Sequence, residues 1–198
     1  MSKSAFGPNI LRETSNGIHQ IAIEDALLEK RDVYLTEAVN SATATALIQQ
    51  FIYLEKENPG KPINFYINSP GGSVKDGLAV YDVIRLLKSP VTTICIGLAA
   101  SMGSILFLAA DKRLMLPHSE IMIHDASFGQ AEFSGLKPDE IQQRTDDLLK
   151  TCKTLRGLIE ERTGLSAKVV RDKMKKDSYF KAEEAMELGL ATGILSSI

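Results

Sequence analysis

The feature that most constrains this chain is an alternation of strand and helix patterns through its middle. Residues 63–67 read as a buried strand, and Leu78, Tyr81, Ile84, Leu86 and Leu87 then recur at helical spacing. Residues 91–96 form a β-branched strand, followed by a run of small residues from Gly97 to Gly103 and an apolar helix to about Ala110. Residues 114–116 and 120–123 add two further short strands. Strands separated by helices cannot pair as hairpins, so the pattern predicts an α/β fold with parallel strands and right-handed crossovers. In such sheets ligands gather at the carboxyl ends of the strands. Residues that directly follow a strand are therefore the ones to search for chemistry.

The flanks are consistent with one domain spanning residues 1–198. Residues 32–35 read as a short strand. Ala46, Leu47, Phe51, Ile52 and Leu54 place a helix over 42–56, stopped by Asn58-Pro59-Gly60-Lys61-Pro62. A long helix is predicted over 138–162, where Ile141, Leu148, Leu149, Cys152, Leu155, Leu158 and Ile159 share a stripe. Pro138, Asp139 and Glu140 suit its first turn, and Thr163-Gly164 its end. Its stripe fits either a subunit interface or ordinary core. The first twenty residues are polar and read as a mobile arm outside the core, and the lysine-rich stretch 168–181 as a solvated helical face.

Composition excludes several classes. At 198 residues and 44% hydrophobic, the chain can bury one sizeable core. A formal net charge of -2 gives no global pull toward nucleic acid or an anionic membrane. The apolar run 94–110 is broken by Gly97, Ser101, Gly103 and Ser104, so no membrane span is expected, and no signal peptide is visible. The two cysteines, Cys95 and Cys152, sit alone in apolar runs, far from any histidine at metal-ligand spacing. They read as core thiols in a reducing, cytoplasmic setting, with no metal site.

Two post-strand segments carry chemical promise. Ser101 follows a buried strand, lies among small residues that admit a substrate to the backbone, and opens a helix whose free N–H groups can meet an oxyanion. Asn68-Ser69-Pro70-Gly71-Gly72 also follows a strand, and its paired glycines can aim an N–H at a ligand. No G-x-x-x-x-G-K-[ST] occurs, so phosphate binding by a P-loop is excluded. Of the three histidines, His19 lies in the arm and His118 in a turn. His124 ends the strand Ile121-Met122-Ile123 and can serve as base to a serine. Such a base needs an orienting carboxylate; spacing leaves Asp125, Asp172 and Asp177 all open.

Taken in order, Tyr66-Ile67-Asn68-Ser69-Pro70-Gly71-Gly72, Ala99-Ala100-Ser101-Met102-Gly103-Ser104, Leu116-Pro117 and Met122-Ile123-His124 resemble the Clp protease proteolytic subunit family. The likeness runs from about Pro8 to Leu195 and includes Leu54-Glu55-Lys56-Glu57-Asn58-Pro59, Tyr81-Asp82, Glu184-Ala185 and Gly189-Leu190. It implies a spiral of repeated ββα units with a protruding handle region over about 125–162. It also implies a serine endopeptidase that works inside stacked seven-membered rings on unfolded polypeptides. An AAA+ unfoldase partner would bind the ATP, leaving this chain without a cofactor. Matched by position, Ser101 is the nucleophile, His124 the base and Asp177 the third member. The amides of Gly72 and Met102 form the oxyanion hole, and Tyr66, Leu86, Ile94 and Ile96 fall near the unfoldase-docking pocket.

The match has departures. Asp125-Ala126-Ser127-Phe128-Gly129-Gln130 replaces the usual glutamine, proline and glycine-rich strand, and the loop Ala110-Asp111-Lys112-Arg113 is shorter than usual. Lys176 stands where an arginine normally pairs across rings, and Asn64 replaces a docking-pocket aromatic. Two rival readings are a catalytically silent ring subunit that needs a sister subunit, and a crotonase-type acyl-CoA enzyme, which needs no Ser/His pair.

Overall fold

The computed structural model describes residues 8–15, 17–128 and 135–197. An antiparallel hairpin comes first, β1 (Asn9–Thr14) with β2 (Gly17–Ala22), then α1 (Ile23–Glu29), β3 (Asp32–Leu35) and α2 (Ser41–Glu57). The middle of the chain is β4 (Ile63–Ser69), α3 (Val74–Leu86), β5 (Val91–Ala100), α4 (Met102–Phe107), β6 (Lys112–Met115) and β7 (Glu120–Ile123). The long α5 (Pro138–Thr163), α6 (Ala167–Met174), β8 (Ser178–Lys181), α7 (Ala182–Glu187) and β9 (Gly193–Ile194) complete it.

The main sheet runs β3-β4-β5-β6-β9, every neighbour parallel, as the alternation predicts. Phe65 and Ile67 of β4 are wholly buried on one face, where α2 presents Ala44, Leu47, Phe51 and Leu54 at helical spacing. A capping box starts that helix: Asn40 Oδ1 accepts from the Ala42 and Thr43 amides, and Thr43 Oγ1 accepts from the Asn40 amide. Val80, Tyr81 and Ile84 of α3 and all six residues of α4 are buried as well. These side chains join Leu155, Ile159, Val170, Met174, Phe180 and Leu190 in one core.

β5 is where the sheet forks. Its first half pairs with β6 through Thr92 to Cys95, and its last residues pair with β7 through Leu98 to Ala100. The strand is longer than predicted because Gly97-Leu98-Ala99-Ala100 stay extended instead of turning. A register shift between Ile67 and Ser69 of β4 accommodates them. β7 in turn pairs antiparallel with β8, the one antiparallel pair in this sheet among the described residues.

Two expectations need correction. Residues 9–14 and 17–22, where no strand was expected, pair as a hairpin at six positions. Most of its described side chains are exposed, so no buried face marks it in the sequence. The stretch 168–181 is helical only to Met174; beyond it, β8 turns Phe180 inward against Ile121, with Lys173 over the Phe180 ring. α5 agrees with prediction to within a residue and ends at Gly164 in the left-handed conformation. At 26 residues it is about 39 Å long. Only Cys152, Leu155 and Ile159, all in its second half, are buried, so its first half stands in solvent.

Candidate active site

Strand register alone brings three side chains together. Ala100 at the end of β5 pairs with Met122 of β7, and the Ser101 amide continues the ladder by donating to the Met122 carbonyl at 2.9 Å. Ile123, the last residue of β7, pairs with Ser178, the first of β8. Ser101, His124 and Asp177 therefore leave three neighbouring strand ends at one place. Ser101 Oγ lies 2.8 Å from His124 Nε2, and His124 Nδ1 lies 3.1 Å from Asp177 Oδ1. With the Nδ1 proton directed to the carboxylate, Nε2 is left to accept the serine hydroxyl proton.

Of the carboxylates that spacing left open, Asp177 is the one beside the imidazole. Asp125 is turned away and engaged by Arg156, while Asp172 pairs with Lys175. The Asp177 side chain is 60% exposed, against 26% for His124, so this member of the site meets solvent.

Ser101 is held in an uncommon conformation. Its φ of 53° is one of two positive values at non-glycine residues among those described. The sharp turn from β5 into α4 lifts the side chain off the sheet edge. Ser104 Oγ locks the turn by donating to the Ser101 carbonyl at 2.6 Å.

The glycine turn packs directly against this elbow. A Cβ on Gly71, whose φ is +87°, would lie 2.7 Å from both the Met102 nitrogen and the Ser101 Cβ. A Cβ on Gly72 would lie 2.2 Å from the Val39 carbonyl oxygen. Val39 bridges the turn: its amide donates to the Gly71 carbonyl, and its own carbonyl accepts from Ser73, each at 2.8 Å. The Gly72 amide takes no part in that bridge, and the Met102 amide, first in α4, has no partner within its helix. Ser69 Oγ donates to the Glu37 carbonyl and accepts from the Gly71 amide, fixing the turn from below.

Beside Ser101 and His124 lies a recess walled by Val74, Met102, Ile105, Ile123, Leu155, Ile159 and Met174. Among the described residues, no Asp, Glu, Lys or Arg side chain lines it. Cys95 and Cys152 are both buried, and burial pushes both thiols up from their ordinary range, which keeps them un-ionised and unreactive.

The four residues expected near a docking pocket separate by exposure. Leu86 is 83% exposed, whereas Tyr66 and Ile96 are half-buried. Ile94 is the exception: it is buried at 4%, flanked in the sheet by Tyr66 and Leu114, and so offers no free surface of its own. Tyr66 stacks on Tyr34 with ring centroids 4.7 Å apart. Asn64, on the same strand, donates to Asp32 at 2.9 Å.

Sequence reasoning missed Arg156, a cation on a helix rich in charges, and the strand that carries the chain past Asp177. After His124, Asp125 to Phe128 have no regular structure, and Gly129 and Gln130 lie outside the described residues. No helix among the described residues is long and apolar enough to cross a membrane.

A family model described as Clp protease matches residues 15–197. That span takes in the forked sheet, the elbow at Ser101, the histidine strand and Asp177. With nearly the whole length matched and a mostly parallel α/β fold to go with it, the chain belongs to the Clp protease family and is a peptidase of that type.

Proposed function

We propose that this chain is a serine endopeptidase, with Ser101 as nucleophile, His124 as general base and Asp177 as the residue that orients it. The observation that carries this reading is the continuous relay from Ser101 Oγ to His124 Nε2 at 2.8 Å and from Nδ1 to Asp177 at 3.1 Å. His124 takes the hydroxyl proton as Ser101 Oγ bonds to the peptide carbonyl carbon. In this reading the oxyanion is met by the amides of Gly72 and Met102, and the close approach of Gly71 to the Met102 nitrogen supports it. His124 then protonates the leaving amine, and the C–N bond breaks to leave an acyl ester on Ser101. Water, deprotonated by His124, attacks that ester and restores the hydroxyl. Asp177 holds the Nδ1–H tautomer throughout and stabilises the imidazolium when it forms.

The apolar lining beside Ser101 supports an apolar side chain next to the cleaved bond, since a charge there would meet no partner among the described residues. The exposed first half of α5, with Leu149 61% exposed, supports self-association into stacked rings through this helix. Exposed Leu86 and the Tyr34–Tyr66 pair support docking of an AAA+ unfoldase, which would use the ATP and deliver unfolded polypeptide.

The test is labelling by a fluorophosphonate probe together with short-peptide cleavage, for the wild type and Ser101→Ala, at known oligomeric mass. An adduct on Ser101 and cleavage lost in Ser101→Ala are expected. Absence of an adduct even with an unfoldase or sister subunit present would mark the chain as a silent ring subunit.

A further inference from the structure

His124 lies one residue beyond the end of β7, so no strand ladder fixes its backbone on the far side. What holds that side is a set of contacts with the helices. The Asp125 amide donates to the Met174 carbonyl at the end of α6, at 2.8 Å. Both Asp125 carboxylate oxygens are taken by one guanidinium on α5: Arg156 Nε donates to Oδ1 at 2.8 Å, and Nη2 donates to Oδ2. One residue further on, the Cys152 thiol of α5 donates to the Ala126 carbonyl at 3.6 Å.

We propose that Asp125 and Arg156 are a positioning pair for the base, in which the α5 fork pins the residue after His124 and so keeps the imidazole between Ser101 and Asp177. The inference rests on the triad reading above. A planar fork with two parallel hydrogen bonds fixes an orientation as well as a distance, which a single point charge does not. Both side chains are about three-quarters shielded, at 26% and 27% exposed, so water competes weakly for the bonds. Asp125 holds Arg156 above its usual guanidinium range, mainly through their hydrogen bonds. Neither side chain lines the recess beside Ser101, so their effect on catalysis passes through His124.

The test compares Asp125→Asn, Arg156→Gln, Arg156→Lys and the double variant Asp125→Asn/Arg156→Gln with the wild type. The readouts are the phosphonylation rate of Ser101 and kcat and KM for a short peptide, with melting temperature and oligomeric mass as folding checks. Each single variant, Arg156→Lys included, is expected to lose about 10- to 100-fold in phosphonylation rate and kcat with KM unchanged. The double variant is expected to be no slower than the slower single, because the two residues act as one unit. Wild-type rates in folded Asp125→Asn and Arg156→Gln would overturn the pair. So would losses that multiply in the double variant, or a change confined to KM. If Asp125→Asn does not fold, Arg156→Lys, which keeps the charge and removes the fork, decides the matter by the same readouts. An unlabelled wild type would instead remove the triad reading, and this pair with it.

Discussion

Replacing Gly71 by alanine should damage stability and chemistry together, for reasons that can be worked out atom by atom. At φ +87° the new residue sits in the left-handed region, which costs an L-residue about 1–2 kcal/mol. Its Cβ would also lie 2.6 Å from the Ala100 carbonyl oxygen, and 2.7 Å from the Met102 nitrogen and the Ser101 Cβ. Two of those atoms belong to backbone, which cannot swing aside, so an overpacking cost of about 1–3 kcal/mol applies. The sum is about 3 kcal/mol, which for a chain of this length lowers the melting temperature by about 6–12 °C. Relief by backbone movement would carry the turn away from Ser101 and Met102, and on the proposed oxyanion role of the Gly72 and Met102 amides a shift of about 1 Å there is expected to slow acylation about 100-fold. Differential scanning calorimetry and the rate of phosphonate labelling measure the two effects in one preparation. Gly157→Ala is the control: it lies exposed in α5 with nothing within 4 Å of the added carbon. It should gain about 0.5–1 kcal/mol from helix propensity and label normally. If Gly71→Ala melts with the wild type and labels at the same rate, the close approach of turn and nucleophile is not what shapes this site.

Other perturbations reach different parts of the molecule. Asp177→Asn should cut kcat by about 100-fold, at the low end for such a change because the carboxylate is 60% exposed; peptide turnover measures it. Ile159→Ala empties a fully buried position on the recess wall, costing about 2–5 kcal/mol by denaturant unfolding. It should also shift cleavage toward larger apolar side chains, read from a peptide library. Asp111 has its carboxyl held below the usual range, chiefly by the hydrogen bond from Arg162 and then by the charges of Arg162 and Arg85. A group depressed in the folded state contributes above its unfolded pKa and loses that contribution as pH falls through the folded one. Melting temperatures of wild type and Asp111→Asn should therefore differ near neutrality and converge in acid, modestly because this carboxylate is exposed.

Much of the fold was legible because burial leaves a periodic trace. The strand-helix alternation from β4 to β7 and the stripe of α5 were both read with small boundary errors. The failures share a cause, which is that they depend on partners distant in the chain. β8 shows only one buried side chain, Phe180, between lysines, and is a strand because Ile121 is there to pair with it. The extension of β5 through Gly97 to Ala100 depends on the shifted register of β4. Ser101 and His124 could be nominated from their places after strands, but the choice of Asp177 over Asp125 needed either a family pattern or the β7–β8 register. Arg156 left no local signal, since its significance comes from Asp125, 31 positions away.

The pairing of β7 with β8 also bears on when this chain can first become reactive. Ser101 and the strand that ends before His124 belong to the middle of the sheet, on β5 and β7. Asp177 arrives only with the strand that starts at Ser178, after the whole of α5 and α6 has been made. A chain emerging from the ribosome in order thus carries Ser101 and His124 for more than fifty residues of synthesis before Asp177, the carboxylate beside the imidazole, is made. Pairing β7 with β8 across that long loop is a non-local contact of the kind that forms slowly. On the proposed triad, a growing chain would therefore complete its site only near the end of its synthesis.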